Sequence, residues 1–126
     1  MENSTTTKVD LITALKNRTK VFVLEAIKFY QSLPKTEEAK IIGRQFMRSS
    51  SSVGANYRAA CRSRSKAEFY SKLSIVVEEA DETAFWLEIL IEAKITDNKD
   101  ANKLLSEINE ILAIMAKARK TVSNNK

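Results

Sequence analysis

This chain of 126 residues contains no histidine, so any chemistry falls to its carboxylates, its lysines and arginines, its hydroxyls and a single thiol. The absence removes the Ser-His-Asp triad, the Cys-His pair, the HExxH zinc site and the Glu-x-x-His di-iron bundle together. The commonest general base is missing with them. Glu78, Asp81 and Glu82 form the carboxylate cluster with spacing for work. Glu78 and Glu82, at i and i+4 on a helix, could share a divalent cation or act as acid and base. The simpler reading is that these acids meet arginines of a neighbouring antiparallel helix. Cys61 is the only cysteine, so no intramolecular disulfide can form. Inside a helix it reads as a semi-buried structural thiol. No catalytic residue, cofactor or metal site is expected, and the chain reads as non-enzymatic.

The other chemically distinctive stretch is RQFMRSSSSVGANYRAACRSRS, from Arg44 to Ser65, which is basic, rich in small residues and free of proline. On a continuous helix each residue advances about 100°. Arg44 and Arg62 then share one azimuth, with Lys40, Arg48 and Arg58 within roughly 40° to either side. These cations make a stripe, and Ala39, Ile42, Phe46, Val53, Tyr57 and Ala60 fall on a separate apolar face. Ser49 to Ser52, Gly54 and Ala55 interrupt both faces. Serine and glycine cost up to about 1 kcal/mol each against alanine in a helix, so their use here needs a reason. One reason is close packing by a second helix or subunit; the other is exposed backbone and hydroxyls for an anion such as phosphate. The serine run is not a nucleotide-binding loop, because the GxxxxGK[ST] spacing is absent.

The elements that carry these residues follow from composition. Two glycines and one proline are too few to punctuate a sandwich, a barrel or a doubly wound sheet. The length fits one domain with a real core. No apolar run reaches the roughly 18 residues needed to span a membrane, and MENSTTTKVD lacks the apolar segment of a signal peptide. A cytoplasmic location is the resulting expectation. The expected architecture is an all-α, single-domain, antiparallel up-down-up-down four-helix bundle, with helices at about 10–33, 37–62, 66–94 and 99–121. Residues 1–9 are expected to be disordered and 123–126 to fray.

The first helix carries Leu15, Phe22, Ala26, Phe29 and Leu33, with Val23, Ile27 and Tyr30 widening the stripe. Pro34 ends it, and Thr36 is placed to cap the second helix, with Glu37 and Glu38 in its first turn. Ser65-Lys66-Ala67-Glu68 matches the S-x-x-E capping box for the third helix. That helix presents Phe69, Leu73, Val76, Ala80, Thr83, Leu87 and Leu90 at heptad-like steps, and Trp86 lies away from this seam, at a core edge or a subunit contact. Asp97 or Asn98 caps the fourth helix, which carries Leu104, Leu105, Ile108, Ile111, Leu112, Met115, Ala118 and Val122.

The net charge of +5 is unevenly distributed: residues 34–72 carry nine Lys/Arg against three Asp/Glu, and residues 73–100 carry two against eight. Adjacent antiparallel helices can neutralise one another, or the basic helix can face a polyanion. The reading preferred here is partial neutralisation with an exposed basic remainder.

At this point the residues resemble a known group. LPKTEEAKIIGRQFMRSSSSVGANYRAACRSRSKAEF and KLSIVVEEADETAFWLEIL are similar to the bacterial four-helix bundle protein family that includes proteins encoded in intervening sequences of 23S rRNA genes. The resemblance runs from Leu11 to Thr121 and rests on Leu33-Pro34-Lys35, Arg48-Ser49, Val53-Gly54-Ala55-Asn56 and Glu68-Phe69 at this spacing. Arg58-Ala59-Ala60-Cys61-Arg62 departs from the Ala-Glu-Gly-type sequence of many members and marks a subgroup. The chain is also similar to the accessory variability proteins of diversity-generating retroelements, basic pentamers that bind a reverse transcriptase and RNA. The resemblance implies a compact bundle assembled as a homopentamer, and it brings no catalytic residues.

Two functions are consistent with these features. The first is an oligomeric bundle that associates with nucleic acid, structured RNA above all, through phosphate contacts from Lys40, Arg44, Arg48, Arg58, Arg62, Arg64 and Lys66. Tyr57 is the sole aromatic near the stripe, which argues against base-stacking readout of a single strand. The second is an oligomeric scaffold or accessory subunit that docks a partner enzyme, such as a reverse transcriptase, without touching nucleic acid.

Overall fold

A computed structural model of the chain describes residues 8–124. Four helices follow one another: α1 (Lys8–Gln31), α2 (Glu37–Cys61), α3 (Lys66–Glu92) and α4 (Asn98–Asn124). The expected tail at 1–9 and frayed end at 123–126 fall largely outside the described residues; α1 is described from Lys8, and α4 is helical through Asn124.

Each boundary has a local chemical cause. Pro34 follows the end of α1, and the Thr36 side chain accepts from the Ala39 N–H at the start of α2. At the head of α3 the Ser65 Oγ accepts from the Glu68 N–H at 3.0 Å, and the Glu68 carboxylate accepts from the Arg64 N–H at 2.8 Å. The reciprocal arm of the capping box therefore lands one residue earlier than the usual N-cap amide. Asp97 accepts from the Lys99 N–H at the entry to α4.

The end of α3 is a Schellman motif built without glycine. Ile95 N–H bonds Leu90 C=O, Lys94 N–H bonds Ile91 C=O, and Lys94 sits in the left-handed region at φ 58°. Ile95 packs against the core, supplying the apolar contact that accompanies this motif.

Short connections make the neighbours antiparallel. Helix α1 packs on α2 and more sparsely on α4, while α2–α3 and α3–α4 are the extensive interfaces; α1 and α3, like α2 and α4, are diagonal pairs. The chain is thus an all-α up-down-up-down four-helix bundle. Its core gathers Phe22, Ala26 and Phe29 of α1, Phe46, Val53 and Tyr57 of α2, Leu73, Val76, Leu87 and Leu90 of α3, and Ile108, Ile111 and Met115 of α4. Phe29 and Phe46 meet edge to face with centroids 5.5 Å apart.

Two apolar positions depart from the sequence expectation: Ile27 is exposed, and Ala101 at the head of α4 is fully buried. Val21, on the α4 side of α1, and Leu24, on its α2 side, are also more than half exposed. Among the described residues no helix is long and apolar enough to cross a membrane.

Candidate functional site

The small-residue waist of α2 has a separate task on each face. Both glycines face α1. A Cβ on Gly43 would stand 2.9 Å from the Tyr30 ring, and a Cβ on Gly54 would stand 2.9 Å from Val23 Cγ2 and 3.6 Å from the Thr19 carbonyl oxygen. Close approach of α1 therefore explains the glycines. On the α3 side, Thr83 Oγ1 donates to the buried Ser49 Oγ at 2.8 Å, and Ser49 donates in turn to the Phe46 carbonyl at 3.1 Å. Ser51 returns its hydroxyl to the Met47 carbonyl, and Ser52 Oγ accepts from Asn56 Nδ2. Ser50 is fully buried, and among the described residues its Oγ has no hydrogen-bond partner.

The basic stripe divides in the same way. Arg48 leans toward α3: its guanidinium reaches Glu79 at 3.0 Å and Glu82 at 2.7 Å. The Glu82 carboxylate is held below the usual carboxylate range, first by the hydrogen bond from the Trp86 indole N–H and then by Arg48. Trp86 is half-buried and meets the exposed Phe85 edge to face. Two acids of α3 are thus bound to an arginine of α2, while Glu78 and Asp81 stay exposed. Among the described residues no group of three or more carboxylates and thiols gathers as a metal site.

A second clamp of the same design joins α1 to α4, and nothing in the sequence reading anticipated it. Arg18 Nε and Nη2 bond the two oxygens of Glu107 at 2.7 and 2.9 Å, and Nη2 also reaches Glu110 at 2.6 Å. In both clamps one guanidinium bridges carboxylates three residues apart, whose side chains stand on one helix face. The Glu-x-x-Glu spacing at 79/82 and at 107/110 is the signal that could have exposed the pair. Alongside the second clamp runs an open groove of about 740 Å³ between α1 and α4, where Glu25, Asp100 and Glu107 alternate with Lys28 and Lys103. Its mixed charge favours no single ligand.

The remaining cations of α2 have no such partner. Among the described residues, Lys40, Arg44, Arg58 and Arg62 are exposed with no carboxylate oxygen within 4.0 Å, and the same holds for the Arg64 side chain in the α2–α3 turn. Lys66 opens α3 beside Tyr70 and Val122, at the end of the bundle. Arg58 and Arg62 do more than stand on a surface. With Ser51, Gly54 and Ala55 they form one wall of a groove of about 470 Å³, whose other wall is Lys16, Asn17, Lys20, Val23 and Leu24 of α1. No aspartate or glutamate lines it. The structure thus brings together two of the expected cations, Arg58 and Arg62, and adds two from α1; it turns Arg48 away into ion pairs.

Tyr57 cannot serve as a stacking platform, because it is only 3% exposed. Burial, and then the neighbouring Cys61, raise its phenol above the ordinary range. Cys61 itself is free and half-buried, and burial pushes its thiol up despite the Tyr57 hydroxyl and the charge of Lys16. A thiol held protonated in this way is a packing group.

Fold and surface together define a small all-α bundle with internally neutralised α2–α3 and α1–α4 seams and a basic α1–α2 face. The chain belongs to the 23S rRNA-intervening sequence protein family, whose model matches residues 13–117. It is similar, at 28% identity and a TM-score of 0.80, to a crystal structure of a protein of unknown function from the S23 ribosomal protein family of Bacteroides thetaiotaomicron, with 86% of this chain and 97% of that one covered. No curated protein matches it.

Proposed function

We propose that this protein is a non-enzymatic, cytoplasmic, oligomeric helical bundle that associates with structured RNA through the basic face of α2. The observation that carries this reading is the division of the arginines. Arg48 is consumed by Glu79 and Glu82, whereas Lys40, Arg44, Arg58, Arg62 and Arg64 stand exposed without a carboxylate partner among the described residues. A bundle under no demand from an outside anion would gain from placing acids opposite them, as it does twice elsewhere. The family's description, a protein of intervening sequences in 23S rRNA, supports RNA as the polyanion. Lys66, at the same end of the molecule, extends the face around the α2–α3 turn.

Assembly into a homo-oligomer, a homopentamer by the family resemblance, would repeat a modest patch into a ring. The exposed Ile41, Tyr70 and Phe85 supply apolar surface for that assembly, or for the alternative of docking a partner protein.

The test is the anisotropy of a labelled structured RNA titrated with protein at about 50 and 200 mM salt. With about four phosphates neutralised, affinity should fall roughly 100-fold between the two. Arg44→Glu with Arg62→Glu should abolish binding while the helical spectrum persists. Salt-insensitive or absent binding would overturn the reading in favour of a protein-docking scaffold, whose captured partner would survive nuclease treatment.

A further inference from the structure

We infer that the α1–α2 groove is a track for an unpaired phosphodiester strand, with Lys16 and Lys20 of α1 facing Arg58 and Arg62 of α2 across it. The inference rests on the polyanion reading above and narrows it to one recess and one form of nucleic acid. Three observations carry it.

The first is convergence. Lys16 and Lys20 stand one helical turn apart on α1, Arg58 and Arg62 one turn apart on α2, and all four line a single groove of about 470 Å³ that no carboxylate enters. Arg44 lies on the same azimuth as Arg62 but outside this groove. Cations on two walls of one recess can neutralise successive phosphates of a strand laid along it.

The second is the floor. Gly54 lets the helices approach until a Cβ there would be 3.6 Å from the Thr19 carbonyl oxygen, and Ser51 and Ala55 keep the floor low beside it. Helices in contact lie only about 8–10 Å apart. A rigid duplex is wider than that and would touch the rims alone, whereas a single strand can settle between them.

The third is the apolar wall. Leu24 is 51% exposed at the groove's edge, and Val23 lies beside it. These side chains offer a dry surface for a ribose or an unstacked base. A duplex keeps its bases stacked inside and leaves that surface bare. No aromatic side chain lines the groove, so binding should be indifferent to base sequence.

The experiment compares a labelled 12-nucleotide oligouridylate with a 12-base-pair RNA duplex, by anisotropy at several salt concentrations. The single strand should bind more tightly, losing about 50-fold between 50 and 200 mM salt if four phosphates are contacted. Lys16→Gln with Lys20→Gln should weaken it at least tenfold and shrink the magnitude of the salt slope by about 1.4, the share of two phosphates on a single strand. Ala55→Trp, which raises the floor without changing charge, should weaken it similarly. Arg44→Gln removes one charge from the outer stripe and should weaken binding by less than the α1 pair does, whereas Lys117→Gln on α4, away from the basic face, should leave it unchanged. All of these positions are exposed, and a thermal melt followed by circular dichroism checks that each variant folds.

Tighter binding of the duplex, or an Arg44→Gln effect equal to that of the α1 pair with Ala55→Trp silent, would overturn the groove and leave a polyanion on the outer stripe. Absence of salt-sensitive binding to either RNA would overturn the broader reading as well.

Discussion

Gly54 offers a sharp test of the packing argument, because the structure predicts that one substitution changes sign with its background. Glycine in a helix interior costs about 1 kcal/mol against alanine, so Gly54→Ala on an isolated helix would stabilise. Here the new methyl would lie 2.9 Å from Val23 Cγ2, well inside van der Waals contact. Valine is stiff about χ1 in a helix, so relief requires either an unfavourable rotamer or a shift of α1. Overpacking of this kind costs about 1–3 kcal/mol. The net expectation for Gly54→Ala is a loss of about 1 kcal/mol. Val23→Ala removes the offending methyl group; the next atom, the Thr19 carbonyl oxygen at 3.6 Å, is at ordinary contact distance. In that background Gly54→Ala should stabilise by about 1 kcal/mol, a coupling of about 2 kcal/mol between the two positions. Denaturant unfolding of the four proteins, followed by helical ellipticity at one fixed protein concentration, measures the cycle. Equal effects in both backgrounds, or a full gain in the unmodified protein, would refute the claim that glycine is required by the approach of α1.

Other substitutions give further outcomes. Ser50→Ala deletes a fully buried hydroxyl without a partner among the described residues and should raise stability by about 1 kcal/mol, while Ser49→Ala breaks the Thr83–Ser49 bond and should bring no gain in the same unfolding assay. Lys94→Gly relieves a left-handed conformation that costs an L-residue about 1–2 kcal/mol. After the entropy that glycine adds to the unfolded chain, a gain of about 0.5–1 kcal/mol should appear as a higher midpoint. The Glu82 carboxyl titrates below its ordinary range because Trp86 and Arg48 bond its charged form, so its contribution is complete above the normal carboxylate pKa and lost as pH falls through the depressed one. A stability profile should therefore drop below about pH 4, and Glu82→Gln should flatten that acid limb.

Much of the fold was written in local signals. Pro34, the Thr36 and Ser65 caps and the scarcity of glycine specify four helices without reference to anything distant. The heptad-like steps from Leu73 to Leu90 and from Leu104 to Met115 specify which faces turn inward. Ile27 was misplaced for a clear reason: periodicity shows that a residue lies near the apolar stripe, but the width of the covered stripe depends on how far the neighbouring helix reaches, and Ile27, one turn beyond Val23 on the α2 side, lies past the covered edge. Ala101 was missed because alanine carries too weak an apolar signal to extend a stripe. Lys16 and Lys20 went unnoticed because they sit on a helix without marked charge excess, and they matter only where α2 stands opposite them.

The sequence by itself determined the fold class, the helix caps, the apolar seams and the existence of a basic stripe, because each depends on spacing within one segment. What it left open was which arginines are spent. Arg48 and Arg58 lie symmetrically, about 40° to either side of the Arg44–Arg62 line, and no periodicity distinguishes them. The order of helices around the bundle does. Helix α3 stands on the Arg48 side and brings Glu79 and Glu82 to it; α1 stands on the Arg58 side and brings Lys16 and Lys20. Charge on one helix becomes a salt bridge or a binding groove according to which neighbour the chain places beside it, and that choice belongs to tertiary structure.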